Sequence, residues 1–271
     1  MISYLLERGT MNNSCYPWQQ HIVDIEQKAY MSGYEMIGGI DEAGRGPLAG
    51  PVVASVVILP RNIIIPGIND SKKLTHQQRE KLYKIISTAA IDWGVGIVEP
   101  EVIDEVNILQ ATYMAMRQAV AKLRVTPHLL LVDGNHSISD VAIPQYPVPK
   151  GDTFVTSIQA ASIISKVIRD KIMVEYDAIY PKYNFAKHKG YGTELHLQAI
   201  EQHGVCEIHR TTYAPVRELL TRQVRLTKCK KEQMFAPTNS GKKRSQSFHT
   251  AGTDGIRGII AGNGRCCSPQ V

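Results

Sequence analysis

No apolar run in this sequence approaches the roughly 18 residues that a membrane-crossing helix needs. Its first ten residues lack the basic stretch, apolar core and small-residue cleavage site of a secretory signal. We therefore expect a cytoplasmic protein with no membrane association. The five cysteines (Cys15, Cys206, Cys229, Cys266 and Cys267) contain no C-x-x-C pair and no zinc-finger spacing. That pattern argues against a structural zinc site, and scattered reduced thiols are what a reducing compartment permits. There is no internal repeat, which excludes a solenoid or propeller. Nor does the chain show the strict strand–helix alternation of a doubly wound dinucleotide fold.

Positive charge is scarce where a polyanion binder would spread it. The formal net charge is +6, yet from Arg222 onward ten Lys/Arg face two Asp/Glu, which leaves the rest of the chain slightly acidic. If the body meets nucleic acid, it does so at a local site and not through its overall field.

What is present is core. Hydrophobic residues make up 43% of 271 residues, enough for one large domain with tails. Residues 1–20 have no periodicity and read as a loose leader, within which Met11 is an alternative start. A short helix is predicted over 21–35. Met36–Ile40 reads as a buried strand followed by Asp41, and Pro51–Leu59, rich in β-branched residues, as a second. Thr75 to Gln78 has the T-x-x-Q pattern of a capping box and opens a helix to about Ser87. Ile91–Val98 reads as a third strand, Pro100–Asp104 and Asn107–Leu123 as helices, and Leu129–Val132 as a buried strand closed by Asp133. Thr156–Ile179 is a long helix that stops before Pro181. Helical pattern returns at Thr193–Gln202 and Pro215–Leu226. The order predicts a mixed α/β domain over 21–222 with a C-terminal helical segment. Residues 223–271, basic and rich in Gly, Ser, Thr and Asn, are predicted to be a disordered tail.

The carboxylates carry the chemistry. Asp41-Glu42 follows one buried strand, Asp133 closes another, and Asp152 follows Lys150-Gly151 before the long helix. If the two strands are neighbours, Asp41 and Asp133 lie side by side and repel each other unless divalent cations neutralise them. Oxygen-only ligands favour Mg²⁺ or Mn²⁺ over Zn²⁺. Two such ions suit phosphodiester hydrolysis. Each acid taken singly is also what a strand end, a cap or a turn in water looks like. Gly44-Arg45-Gly46 lets backbone approach a ligand closely, though G-R-G alone is usually a turn.

The stretch from Gly39 through Asp41-Glu42-Ala43-Gly44-Arg45-Gly46 to Val52 resembles the signature of ribonuclease HII. Further segments follow in register: Asn69-Asp70-Ser71-Lys72-Lys73-Leu74, Leu131-Val132-Asp133-Gly134, Lys150-Gly151-Asp152, Ala160 to Asp170, His188-Lys189-Gly190-Tyr191-Gly192-Thr193 and His209 to Val216. The resemblance covers roughly residues 20–220. It implies a ribonuclease-H-like mixed sheet flanked by helices, with Asp41, Glu42, Asp133 and Asp152 as the metal-binding catalytic acids. It implies that Gly44, Arg45 and Gly46 read the ribose 2′-hydroxyl, largely through backbone groups, and that Tyr191 stacks on the next sugar. The implied substrates are RNA–DNA hybrids and duplex DNA with embedded ribonucleotides. The implied cut lies 5′ to the ribonucleotide and leaves 5′-phosphate and 3′-hydroxyl ends, with two Mn²⁺ or Mg²⁺ ions and a monomeric enzyme.

Other positions read two ways. Lys72, in a loop before a helix, is a phosphate contact or half of a solvated basic pair with Lys73. Asp170 supports the site or pairs with a nearby cation. Ser162 and Lys166, four apart on the long helix, face the site together or belong to the core stripe. His188 is a phosphate contact or an ordinary surface histidine, and His209-Arg210 is expected to hold the C-terminal helix. The A-G-R-G following the acid pair differs from the V-G-x-G of ribonuclease HIII, and residues 1–35 are too few for that family's N-terminal platform. The basic extension beyond 222 exceeds what the resemblance needs; it adds salt-sensitive DNA affinity or is dispensable.

Overall fold

The computed structural model describes residues 25–222. The predicted leader over 1–20 and the basic extension over 223–271 lie outside the described residues. Five strands, β1 (Ile37–Ala43), β2 (Val52–Ile58), β3 (Asp92–Val98), β4 (Leu129–Asp133) and β5 (Gln145–Val148), form one mixed sheet in the order β3-β2-β1-β4-β5. β1, β2 and β3 pair antiparallel, whereas β4 runs parallel to both β1 and β5. Around the sheet lie α1 (Ile25–Met31), α2 (His76–Ala89), α3 (Pro100–Ala121), α4 (Thr156–Ile179), α5 (Phe185–His188) and α6 (Glu194–His203), and residues 214–222 are helical. This is the mixed α/β sheet with a C-terminal helical segment that the sequence predicted.

β2 shows why the sheet has helices on both faces. All seven of its residues are buried. Side chains alternate across a strand, so Val52, Ala54 and Val56 pack on one side with Ala111, Ala115, Met116 and Ala119 of α3. Val53 and Val57 pack on the other with Leu82 and Ile86 of α2 and Ala160, Ile163, Ile164 and Val167 of α4. A strand covered on both faces must read as an unbroken apolar run, and VVASVVI nearly does.

The cap read from the sequence is made. Thr75 Oγ1 accepts from Gln78 N at 3.3 Å, and Gln78 Oε1 accepts from Thr75 N at 2.8 Å. α3 breaks where two helices were predicted to meet: Asn107 sits at φ 68, ψ 163. Its Oδ1 accepts from Leu109 N and Gln110 N at 3.0 and 3.2 Å, capping the second half.

Several elements differ from expectation. β1 runs on through Ala43, so Asp41 and Glu42 are strand residues and not the residues after a strand. The predicted helix over 21–35 is Ile25–Met31 among the described residues, ending at a turn whose Gly33 has φ +92°. β5 was not predicted. It is four residues long and carries Pro147, which a pattern search discounts but an edge strand tolerates. The short helix α5 and the 3₁₀ turn Pro181–Tyr183 were not predicted either.

One close approach sets the position of the site. A Cβ on Gly39 of β1 would lie 2.2 Å from the Ser157 carbonyl carbon and 2.4 Å from Ile158 N. The first turn of α4 therefore rests directly on the backbone of β1, two residues before Asp41.

Candidate active site

The parallel β1–β4 pairing brings the acids together. The register joins Ile40 to Val132, so Asp41 and Asp133 are the next residues on neighbouring strands. Asp152 lies in the 3₁₀ turn Gly151–Thr153 that leads into α4, and its N–H donates to Asp133 Oδ1 at 3.3 Å. Asp41 and Asp152 are each 5% exposed. Burial, and then the charges of Glu42 and Asp133, push the Asp41 carboxyl well above the usual carboxylate range; a hydrogen bond from Ser162 opposes this only in part. Burial also raises Glu42, against the opposing charge of Arg45. Burial, then the charge of Asp152, raises Asp133. Three of the four sequence-predicted acids thus disfavour their own charges, and Asp152 lies against Asp133 through its backbone N–H.

The chain's own cations partly answer them. Lys72 Nζ lies 2.8 Å from Asp152 Oδ2, and Arg45 Nη1 lies 3.2 Å from Glu42 Oε1. The loop that delivers Lys72 is tied down: Lys72 N donates to Asp70 Oδ1 at 2.9 Å, and Ser71 Oγ lies 2.8 Å from Ser162 Oγ. The Ser71–Ser162 hydroxyl pair joins that loop to α4 beside Asp41. Asp170, farther along α4, pairs with Lys166 at 2.7 Å and Arg79 at 3.7 Å, the pairing alternative of its two readings. Among the described residues no three carboxylate, histidine or cysteine groups converge as a preformed metal shell. The donor set nonetheless fits a hard divalent cation: it is all oxygen, mostly buried, and carries negative charge that two basic side chains only partly offset.

The loop after β1 is built from beneath. Gly44 has φ +97°, and a Cβ there would lie 2.2 Å from Arg169 Nε, so only glycine fits. Gly46 differs: a Cβ there would meet nothing within 4 Å. Arg45 and Gly46 are both exposed beside the acids. Two buried arginines hold the loop's carbonyl oxygens. Arg169 donates to Pro51, Ala49 and Lys189 at 3.0–3.1 Å. Arg210 donates to Gly44, Arg45 and Gly50 at 2.6–3.0 Å.

Tyr191 stands beside this loop. It is 44% exposed, with Lys166 Nζ and Arg169 Cζ 5.7 and 5.9 Å from its ring centre. Its backbone is anchored by histidines. A carbonyl can only accept, so His196 Nδ1 donates to Tyr191 O at 2.9 Å. His196 Nε2 then accepts from His209 Nε2 at 3.1 Å, and His209 Nδ1 accepts from Cys206 N at 2.9 Å. His188 Nε2 donates to Tyr183 O at 2.7 Å, and its Nδ1 accepts from Gly190 N at 3.2 Å. The partners define neutral rings, and burial lowers both His196 and His209 to about 4. His188, expected at the surface, is buried, its ring stacked on His196 with centres 4.4 Å apart. His209-Arg210, expected to hold the C-terminal helix, reaches instead to the His196 ring and to the loop after β1.

Sequence reasoning missed this support layer. Arg169 lay in the Ala160–Asp170 segment of the resemblance and shares a face of α4 with Ser162, Ser165 and Met173, at helical spacing of three and four, but neither signal gave it a role. Arg210 and Tyr213 lay in the His209–Val216 segment of the resemblance, but nothing local pointed to the carbonyls they meet, which lie 160 or more positions away.

Comparison with known proteins agrees with this geometry. The family model described as Ribonuclease HII matches residues 38–216. The ribonuclease HII of Endomicrobium trichonymphae is 50% identical over 201 residues, 74% of this chain and 96% of that protein. The crystal structure of the ribonuclease H2 from Pyrococcus horikoshii OT3 superposes with TM-score 0.57 at 29% identity, over 69% of this chain and 98% of that one. Bst-RNase HIII in complex with Mn²⁺ shares the fold at 18% identity, with TM-score 0.55 over 73% of each chain. With its family model matched through the acid-bearing strands and the loops around them, this chain belongs to the ribonuclease HII family, divalent-metal-dependent hydrolases that cleave RNA within RNA–DNA hybrids.

Proposed function

We propose that this enzyme cuts 5′ to single ribonucleotides embedded in duplex DNA as well as along the RNA strand of hybrids, leaving 5′-phosphate and 3′-hydroxyl ends. Asp41, Glu42, Asp133 and Asp152 would hold two Mg²⁺ or Mn²⁺ ions. Such ions supply an activated water for in-line attack and stabilisation of the departing 3′ oxygen. The neighbour solved with Mn²⁺ supports that choice of ion.

The chain's own residues do the rest. Arg45 and Gly46 offer backbone to a ribose, and the open space at Gly46 lets the sugar approach closely. The 2′-hydroxyl is what marks RNA at a single position. Tyr191 offers an exposed ring for the following deoxyribose, and Lys72 an ammonium for a phosphate. The observation that carries the reading is the exposed Arg45-Gly46 backbone on the same strand end as the buried acids Asp41 and Glu42. We place the working enzyme in the cytoplasm as a monomer.

The test is an end-labelled DNA duplex containing one ribonucleotide, with Mg²⁺, Mn²⁺ or EDTA. One metal-dependent cut just 5′ to the ribonucleotide is expected. An intact duplex beside a cleaved long hybrid would replace this reading with a ribonuclease HIII-like one. Binding of both without cutting would indicate a noncatalytic hybrid-binding protein.

A further inference from the structure

Arg210 is fully buried, and all its hydrogen bonds go to backbone carbonyls and one phenol, none to a carboxylate. Nη2 donates to Gly44 O at 2.6 Å, and Nη1 to Arg45 O at 2.9 Å. Tyr213 repeats the second contact: its hydroxyl accepts from Arg210 Nη1 at 3.0 Å and donates to Arg45 O at 2.7 Å. Two consecutive carbonyls are thereby drawn inward by one guanidinium.

The consequence follows from peptide geometry. A trans peptide is planar, with its N–H antiparallel to its C=O, and the described residues contain no cis bond. Gly44 O pointing inward sends Arg45 N–H outward. Arg45 O pointing inward sends Gly46 N–H outward. Both residues are exposed, and neither N–H finds an acceptor among the described residues. Successive outward amides form a small concavity for one electron-rich oxygen. Bonds from a charged donor to the carbonyls also polarise these amides and strengthen them as donors.

We infer that Arg210, seconded by Tyr213, is the positioning residue behind ribose selectivity: by holding the Gly44 and Arg45 carbonyls it aims two amides at the 2′ oxygen. This rests on the proposed reading of the Gly44–Gly46 loop. Arg169 supplies a comparison. It is equally buried and also binds only carbonyls, but those of Ala49, Pro51 and Lys189.

The full chain, saturated with Mn²⁺, is assayed on two duplexes that differ only in carrying a 2′-hydroxyl or a 2′-fluorine at one nucleotide. Arg210→Lys keeps the charge but not the fork. It should lower kcat/KM on the hydroxyl duplex on the order of 100-fold, the cost of a misplaced contact. The hydroxyl-over-fluorine ratio should collapse, with half-saturating Mn²⁺ unchanged. Tyr213→Phe, which removes one hydroxyl and threatens folding less, should lower the ratio about tenfold. Arg169→Lys should weaken both substrates alike. In the free protein, the ¹⁵N order parameters of Arg45 and Gly46 should fall in Arg210→Lys, a readout that needs no substrate. A wild type indifferent to the 2′ group would remove the functional reading itself. A discriminating wild type beside equally discriminating, folded Arg210→Lys and Tyr213→Phe variants would overturn the role of Arg210 alone.

Discussion

Lys72 Nζ and Asp152 Oδ2 lie 2.8 Å apart, an ion pair between residues 80 positions apart, with the lysine side chain 78% exposed and the carboxylate 6%. The hydrogen bond to Asp152 raises the ammonium's pKa despite partial burial. An exposed ammonium on a buried acid is a counter-charge that a divalent cation can displace, which frees it for a phosphate. Lys72→Met should therefore lower the metal concentration for half-maximal cleavage and raise KM for the hybrid. The slope of log affinity against log salt should shrink by about 0.9, one phosphate contact. An unchanged salt slope would remove Lys72 from the substrate contacts.

Asp41→Asn separates chemistry from stability. Losing one charge from the acid group should lower kcat by about three decades, from several kcal/mol at about 1.36 kcal/mol per decade. The metal-free protein should become more stable, because burial, Glu42 and Asp133 all disfavour the ionised carboxylate. The sign is that of a raised carboxylate: its charge costs stability at neutral pH, and the cost disappears once acid protonates it in both states. A rise of about 2–4 °C in Tm at neutral pH is expected, fading as pH falls into the carboxylate range. Near-wild-type turnover would remove Asp41 from catalysis.

Two glycines should respond in opposite ways. Gly39→Ala drives a methyl into the Ser157–Ile158 backbone and should cost about 3 kcal/mol in urea unfolding. Gly46→Ala meets open space and should change stability by no more than about 0.5 kcal/mol. It should still raise KM, because the methyl occupies the approach to the sugar. An unchanged KM would place the ribose elsewhere.

Acid should loosen the histidine layer. Burial holds His196 and His209 near 4, while an unfolded histidine titrates near 6.5. Between those values the unfolded chain binds more protons, so stability is full above about pH 6.5 and falls as pH drops towards 4. Thermal midpoints from about pH 7.5 to 5 should show this slope, and His196→Asn should flatten it. A wild-type Tm constant over that interval would show that these rings charge without cost.

Some of this site was legible in the chain. The apolar runs of β1, β2 and β4 announced strands, and Thr75–Gln78 announced a cap, because those signals lie within a few residues of where they act. β5 was lost because Pro147 and half-buried Gln145 and Tyr146 carry no apolar alternation. Asp41 and Asp133 were chosen by their places at strand ends, yet their adjacency awaited the β1–β4 register. The pairing of Lys72 with Asp152 was not readable from either loop.

The sequence by itself determined most of the elements and the family, and nominated the acids, since periodicity, capping and motif order are local properties. Tertiary structure alone decided how the acids are strained, which way the Gly44–Gly46 peptides face and why buried arginines lie beneath them. Those properties depend on burial and on contacts between positions far apart, such as Arg210 with Gly44. Neither desolvation nor the direction of a carbonyl exists until the chain has closed around it.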